Sequence, residues 1–394
     1  MIKKEKLYSL LIFSAIFFSM VSYENHIFYK YYSKLQLLIT GIIFVIFFIF
    51  MIYEDDLKKD MIKIINRNTG MVIMLFGMLI STILGYFLYG YNSAISIASV
   101  IGIIVSAITI FIIIPILCIK YPRIEKIILN FFVGFAFILA IFSILIRINH
   151  NHFLGYSLVN NRVASFYYDP NFLGMVLGSA LLISIMKSQK SIHKIISIIV
   201  FGFAIYLTGS RGTMLAICVA IFIFLIFFLK MKFWKKFIIL MVIASMVMGL
   251  LYYLYNNDYF RTYQGSNSRA EMITFAFKHS FESPVFGFGY QAIGNYLNAH
   301  GFHNKSTHNS LMDFLFGYGY IETIIYLYFI FKILILSLKN GERTEYKYIF
   351  PLIFILINSN TILYSFGGIG ISSFIFTFVL GMLNIKIMKK KEII

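Results

Sequence analysis

Long apolar runs separated by short polar breaks make up most of this chain. The runs are about 17 to 25 residues long, which is the length an α-helix needs to cross roughly 30 Å of hydrocarbon. A closed β-barrel would instead alternate apolar and polar positions. The pattern therefore predicts an all-α fold, a polytopic integral membrane helical bundle of about 12 transmembrane helices. The predicted spans are 7–22, 35–53, 70–89, 95–118, 127–146, 172–186, 195–209, 213–229, 237–255, 310–338, 348–365 and 368–386.

Composition agrees with this class. Apolar residues make up 60% of the chain, only 13% of residues are charged, and the mean hydropathy is +0.85. The interval between the ninth and tenth spans, residues 256–309, is by contrast long and polar. We therefore expect one transmembrane domain over residues 1–394, with a loop at 256–309 that completes a site at the membrane surface.

The basic residues test the order of the spans. If the N-terminus is cytoplasmic and the loops alternate, 25 of the 34 Lys and Arg residues fall on the cytoplasmic side. Such an excess is the usual mark of cytoplasmic loops. Both termini are thus predicted to be cytoplasmic, and the net charge of +18 is a topology signal that gives no reason to expect a nucleic-acid partner. The outer group consists of Lys30, Lys34, Arg147, Arg162, Arg211, Arg261, Arg269, Lys278 and Lys305.

The extracytoplasmic loop 256–309 concentrates arginine, histidine, tyrosine and glycine. Apolar residues at helical spacing after Arg269 predict a first helix that stops at Ser283-Pro284. A second short helix is predicted from Gln291 to Ala299, ending at Gly301. A protein that only sits in lipid has no use for such a loop, so we expect it to cover an active site.

Two arginines on this side are candidates for binding an anion. Arg211 lies between Gly209 and Gly212 in a six-residue turn, where glycine permits close approach of a ligand. Arg269 lies in the first turn of its helix, where the dipole disfavours a cation unless an anion is bound beside it. The alternatives are contact with lipid headgroups for Arg211 and simple solvation for Arg269.

Arg162 and Asp169 precede the sixth span. Arg162 either binds the same anion or contacts headgroup phosphate. Asp169 stands before Pro170, which is the pattern of a helix start, so capping is its first interpretation. A carboxylate near the outer surface is also a candidate base.

His308 opens the tenth span. The partial positive charge of a helix N-terminus lowers an imidazole pKa, so His308 is predicted to be neutral at pH 7 and available as a base. A histidine that is merely wetted at the interface is the alternative. The spacing of His300, His303 and His308 matches no established metal pattern, so the sequence predicts neither a metal nor a cofactor.

Five stretches between about residues 160 and 320 resemble the bacterial O-antigen ligase and surface-polysaccharide polymerase family. Their order along the chain and their side of the membrane also agree with it, whereas the first five spans carry no such motif. The stretches are Asn161-Arg162 through Asp169-Pro170-Asn171; Thr208-Gly209-Ser210-Arg211-Gly212; Ser268-Arg269; Ser283-Pro284-x-x-Gly287-x-Gly289; and His308-Asn309-Ser310-Leu311 with Gly317-x-Gly319.

The resemblance implies a metal-independent, inverting glycosyltransferase of the bacterial cytoplasmic (inner) membrane. Its donor would be a glycan on undecaprenyl pyrophosphate and its acceptor a lipid-linked sugar, with membrane lipids and a chain-length regulator protein as further partners. His308 would be the catalytic base, Arg211, Arg269 and Arg162 would bind substrate, and Asp169 and Asn309 are further candidates. We expect a polymerase; a ligase that transfers the glycan to lipid A core or protein is the alternative.

A transporter is the rival class, because Asn358-Ser359-Asn360 places polar residues within the eleventh span. The other polar candidates collect at the outer rim and the two halves of the chain do not resemble each other. The sequence therefore favours the enzyme.

Overall fold

The computed structural model describes residues 2–21, 29–159, 161–167, 169–187, 191–227, 234–235, 238, 241, 267–302, 306–359, 366–368 and 370–390. Helices dominate these residues, which confirms the predicted all-α membrane fold. The first half contains α1 (Ile2–Val21), α2 (Tyr29–Ile52), α3 (Asp55–Arg67), α4 (Thr69–Leu88), α5 (Ala94–Ile108), a π-helical turn (Thr109–Ile113), α6 (Ile114–Lys120) and α7 (Pro122–Ile148).

A small antiparallel hairpin, β1 (His152–Phe153) with β2 (Tyr156–Ser157), separates the halves. The second half contains α8 (Pro170–Lys187), α9 (Ser191–Thr208), α10 (Arg211–Phe227), α11 (Asn267–Ser280), α12 (Ala292–Ala299), α13 (Ser310–Asn340), a 3₁₀ turn (Arg343–Glu345), α14 (Tyr346–Asn358) and α15 (Ile371–Lys390). Helices α11 and α12 are the two that the sequence predicts within the long loop.

The predicted spans can be compared with these helices one by one. The ninth span, 237–255, lies almost wholly outside the described residues, and each of the other eleven falls on a helix. By length and composition, six helical stretches among the described residues are suited to crossing a membrane, so the count of twelve stays a prediction. They are Thr69–Leu88, Ala94–Lys120, Pro122–Ile148, Pro170–Lys187, Ser310–Asn340 and Ile371–Lys390.

Helix α3 is a finding that the spans did not predict. It lies between α2 and α4 and carries charge on its exposed side, while Leu57 and Ile64 are buried. Their spacing of two turns gives it one narrow apolar face, which is typical of a helix that packs on the end of a bundle. Helices α8 and α15 are the opposite case, because they are apolar on all sides and buried on nearly all of them.

The two ends of the bundle differ in chemistry as the alternating topology predicts. Residues from predicted cytoplasmic segments pair at one end, where Lys4 meets Glu54 at 2.9 Å, Lys390 meets Glu345 at 3.0 Å, and Lys347 pairs with Glu125. Helix α8 runs from Asp169 at its start to Lys187 at its end, and therefore connects the site end with the basic end. Which end faces the cytoplasm stays a prediction.

The long loop is fastened to α13 where two glycine pairs meet, Gly287 with Gly289 in the loop and Gly317 with Gly319 in the helix. We call this contact the lock. Gly319 has φ 80° and ψ 179°, which breaks the helix inside Ser310–Asn340. The loop enters this break, where the amides of Phe288 and Gly289 donate to the carbonyls of Phe316 and Gly317 at 3.0 and 2.7 Å. The amide of Tyr320 donates in return to Pro284 at 2.8 Å. Backbone groups released by the broken helix are thereby satisfied, as an apolar environment requires.

The same loop reaches α4 beyond this lock. The side chain of Asn92 donates to the carbonyl of Phe288 at 2.5 Å, and the amide of Tyr290 donates to Thr82 Oγ1 at 3.1 Å. The loop is therefore held from two sides before it leads into α12.

We predict that Gly319→Ala destabilises this docking. A φ of 80° with a ψ of 179° is essentially restricted to glycine, so an alanine there costs roughly 1–3 kcal/mol, and its Cβ would also overlap the carbonyl of Val285. The midpoint of thermal unfolding in detergent should fall. Gly102→Ala is the matched control, because nothing lies within 4 Å of a Cβ placed there. Equal midpoints for the two variants would contradict the lock.

Candidate functional site

The turn between α9 and α10 carries Arg211. Gly209 has φ 58°, a conformation that suits glycine. The amide of Ser210 donates to Thr208 Oγ1 at 3.2 Å, and the hydroxyls of Ser210 and Thr213 are 2.9 Å apart. Buried hydroxyls thus fix the turn from inside. Arg211 is the first residue of α10 and its side chain is exposed.

Arg162 has contacts that tie it to the protein. Its Nε donates to the carbonyl of Thr208 at 2.6 Å and its Nη2 donates to Asn171 Oδ1 at 2.6 Å. These bonds join the segment before α8 to the α9–α10 turn. Part of its hydrogen-bonding capacity is therefore used to hold the site together.

Asp169 caps α8. Its Oδ1 accepts from the amide of Asn171 at 2.8 Å, and its carbonyl accepts from the amides of Phe172 and Leu173 at 3.0 and 3.2 Å. The capping interpretation of this residue is confirmed.

His308 lies two residues before α13, which begins where the predicted tenth span begins. The helix begins at Ser310, and the Asn309 side chain caps it by accepting from the amides of Leu311 and Met312 at 3.1 and 3.0 Å. Asn309 therefore has a structural task. His308 itself has φ 56°, and its amide donates to Ser306 Oγ at 3.2 Å.

The charges of Arg269 and Asp169 both affect the pKa of His308. Burial lowers the pKa of His308 from its usual 6.5, the positive charge of Arg269 lowers it further, and the negative charge of Asp169 raises it. Residues 169, 269 and 308 come from three separate segments and are thus close enough in space to interact. The direction agrees with the predicted neutral imidazole, but its first cause is burial and not the helix terminus.

The end of α14 connects α10 with α13. Asn358 donates to Thr213 Oγ1 at 3.4 Å, and the amide of Ser310 donates to the carbonyl of Ser359 at 3.0 Å. The helix ends at Asn358. These polar residues were predicted within a span, so the structure corrects their place: Asn358 and Ser359 terminate a helix and hold the site. Asn360 lies outside the described residues.

Four helices, α8, α10, α11 and α13, begin in the segments that carry these residues. A helix N-terminus presents free amides and partial positive charge, and it favours an anion. Arg211 and Arg269 each lie in the first turn of such a helix. Both helix starts therefore favour an anion, and the one at Arg269 lies near a histidine that favours its neutral form.

Sequence reasoning missed the residues that hold this arrangement. Asn171 and Thr208 position Arg162, and Ser359 positions the start of α13. Asn171 belongs to the motif Asp169-Pro170-Asn171, and this motif was the sequence signal that could have identified it. A backbone carbonyl such as that of Thr208 leaves no mark on a sequence.

Comparison with known families gives one match. A family model described as O-antigen ligase matches residues 195–327, which is about a third of the chain. The matched region runs from α9 into α13 and contains Arg211, Arg269 and His308. Over these residues the resemblance expected from the motifs is confirmed. A comparison with curated proteins finds no match.

We predict opposite effects of two charge substitutions on the pKa of His308. Arg269→Gln removes a repelling cation, so the pKa should rise; Asp169→Asn removes an attracting anion and should lower it, while Asn still caps the helix. Only the neutral imidazole reacts with diethyl pyrocarbonate. The pH midpoint of His308 modification, followed by mass spectrometry, should therefore move up and down respectively.

Arg147→Gln is the control for this experiment, because Arg147 bonds Asn151 at 2.7 Å and does not contribute to the shift at His308. If Arg269→Gln and Arg147→Gln give the same midpoint, Arg269 does not act on His308.

Proposed function

From the match to O-antigen ligases, which indicates a membrane protein that processes glycans, we propose that this chain polymerises lipid-linked oligosaccharide repeat units. The donor is a glycan on undecaprenyl pyrophosphate, and the acceptor is a second lipid-linked sugar. The reaction takes place on the outer face of the bacterial cytoplasmic membrane, with both termini of the protein in the cytoplasm.

The observation that carries the proposal is the placement of His308. Its imidazole is half-buried, its pKa is lowered by burial and by Arg269, and it lies just before α13 and near the residues that begin α8 and α11. A base that is neutral at pH 7 beside an anion site is what a transfer from a pyrophosphate donor requires.

The reaction is a single displacement. The acceptor hydroxyl oxygen attacks the anomeric carbon of the donor and forms the new glycosidic bond. The bond from that carbon to the pyrophosphate oxygen breaks, and its electron pair leaves with the pyrophosphate. The hydroxyl proton goes to His308. Attack opposite to the leaving group inverts the anomeric centre, and the step uses no metal.

Arg211 and Arg269 stabilise the leaving group. Negative charge on the pyrophosphate grows as the bond breaks, so cations that bind it more tightly in the transition state lower the barrier. A guanidinium suits this role because it binds phosphate oxygens in pairs and stays protonated. Arg162 is the third arginine of the site, and its bonds to Thr208 and Asn171 assign it mainly to orienting the α9–α10 turn.

Polymerase is our choice over ligase because surface-polymer polymerases are many and divergent. The abundance of Ile, Lys, Asn, Phe and Tyr also suggests an AT-rich genome, which admits hosts that lack lipid A. The description of the matching family favours the second candidate, a ligase that transfers the glycan to lipid A core or protein. A polymerase extends lipid-linked units when these are the only acceptor, and a ligase does not. A chain-length regulator protein would be a partner of the polymerase alone.

We predict that His308→Ala abolishes chain extension. Loss of a general base should lower the rate by about 10²–10⁴-fold, and single lipid-linked repeat units should accumulate. The measurement is electrophoresis of products made by purified protein from purified lipid-linked repeats. His193→Ala, an exposed histidine of α9, is the control and should extend normally. Normal chain lengths with His308→Ala would remove this residue from the mechanism.

We also predict that Arg211→Lys and Arg269→Lys retain little activity. Lysine keeps the charge but loses paired binding of phosphate oxygens, so each rate should fall roughly 10²-fold or more. Arg123→Lys, at the opposite end of the bundle and exposed, should behave like the unsubstituted protein in the same assay. Full activity with lysine at both sites would show that the two arginines act only through their positive charge and not through paired binding of phosphate oxygens.

A further inference from the structure

The backbone at His308 is held in an uncommon conformation. Its φ of 56° lies in the left-handed region, which residues other than glycine rarely adopt. Such a conformation costs free energy and persists only where the surroundings impose it. Contacts on either side of His308 must therefore supply the constraint.

Asp313 supplies most of it. Its Oδ1 accepts two hydrogen bonds from Thr307, one from the amide at 2.9 Å and one from the hydroxyl at 2.5 Å. Thr307 Oγ1 also accepts from the amide of Asn309 at 3.3 Å, and the amide of Asp313 donates back to the carbonyl of Asn309 at 3.0 Å. Thr307, before His308, is thus tied to the Asp313 carboxylate, and Asn309, after it, is tied to the Thr307 hydroxyl and to the backbone amide of Asp313.

The imidazole has no such anchor of its own. Within the described part of the chain, the hydrogen bond of His308 is made by its amide to Ser306 and none is made by its ring. A catalytic imidazole is commonly oriented by a partner on its second nitrogen. Here the direction of the ring follows from the backbone turn that carries it.

We propose that Asp313 is a positioning residue, which fixes the turn through Thr307 and so aims the imidazole of His308 at the acceptor hydroxyl. This inference rests on the proposed function, in which His308 is the base. Asp313 does not touch the substrate. Its carboxylate lies in the first turns of α13, where the helix dipole favours negative charge.

Asp313 acts on the turn through its acceptor oxygen and not through its charge. Both bonds from Thr307 go to Oδ1, whereas Oδ2 is shielded from solvent and accepts no hydrogen bond from the described residues. Asparagine can present the same Oδ1 to Thr307. Leucine has a similar shape and removes the acceptor altogether.

Two matched pairs test the proposal in the purified full-length protein with lipid-linked repeats. Asp313→Leu removes both bonds between the two residues, and Thr307→Val removes the hydroxyl bond and leaves only the amide bond, whereas Asp313→Asn and Thr307→Ser keep both. Because misplacing a catalytic group by about 1 Å can cost on the order of 10²-fold, we expect kcat to fall about 10- to 100-fold in the first two. KM for the donor should stay unchanged, and the conservative variants should keep most of the activity.

The pH profile separates positioning from a charge effect. Thr307→Val removes no charge, so the midpoint of the acid limb of kcat should stay where it is while the plateau falls. Full activity of Thr307→Val overturns the proposal, and so does a loss of activity in Asp313→Asn that equals the loss in Asp313→Leu. If Asp313→Leu does not accumulate in the membrane, the two threonine variants decide.

A measurement that does not depend on activity tests the role of Asp313 separately from the proposed function. The rate at which diethyl pyrocarbonate modifies His308 at a fixed pH should change in Thr307→Val and stay unchanged in Thr307→Ser, because the turn moves only in the former. An unchanged rate in both contradicts positioning. If instead the rate changes but His308→Ala still extends chains, Asp313 positions the histidine and the proposed function is wrong.

Discussion

In hydrocarbon every backbone amide and carbonyl needs a partner within the protein, and the break in α13 depends on this constraint. Gly319 interrupts the helix, and the turn-rich loop segment 284–289 supplies partners for the groups that the interruption releases. The first part of α13, which carries the cap at Asn309 and follows His308, is therefore oriented by the loop and not only by the helix behind it. Docking of the loop and placement of His308 are one structural event.

The electrostatics at the site end of the bundle depends on the residues at the helix N-termini. Caps made by Asp169 and Asn309 use side-chain oxygens to satisfy part of the free amides. Charge at these starts is then set by Arg211 and Arg269, which no nearby acid in the first turn of their helices offsets. Burial and the charge of Arg269 together keep the pKa of His308 low. An anion bound beside Arg269 would weaken its repulsion and so raise the proton affinity of His308.

The sequence was sufficient for the parts of the fold that the membrane dictates. Apolar runs must become helices in a bilayer, so most spans could be predicted, and glycines with proline marked the ends of the loop helices. Helix α3 was missed because its apolar positions are few among charges. The end of α14 at Asn358 was missed because the predicted eleventh span was drawn through the polar residues Asn358-Ser359-Asn360 to residue 365.

The candidate site was predictable in its residue types and not in its contacts. Arginine between glycines and histidine before an apolar span stand out in a chain with so few charges. The partners of Arg162 lie nine and 46 residues away, and a bond to a backbone carbonyl has no sequence signature. The neutral state of His308 was predicted from a helix dipole, whereas burial is its main cause, and burial is a property of the folded molecule.

The short length of α14 bears on how deep His308 lies in the membrane. Its 13 residues extend about 20 Å at 1.5 Å per residue, whereas the hydrocarbon layer is about 30 Å thick. The bond between Ser310 and Ser359 fastens the start of α13 to the far tip of this short helix. If α14 begins at the cytoplasmic boundary, as the predicted topology has it, His308 lies below the plane of the outer phospholipid headgroups. Under the proposed function, a hydrophilic sugar would then have to descend into the protein to react, while its prenyl chain stays at its natural level among the acyl tails.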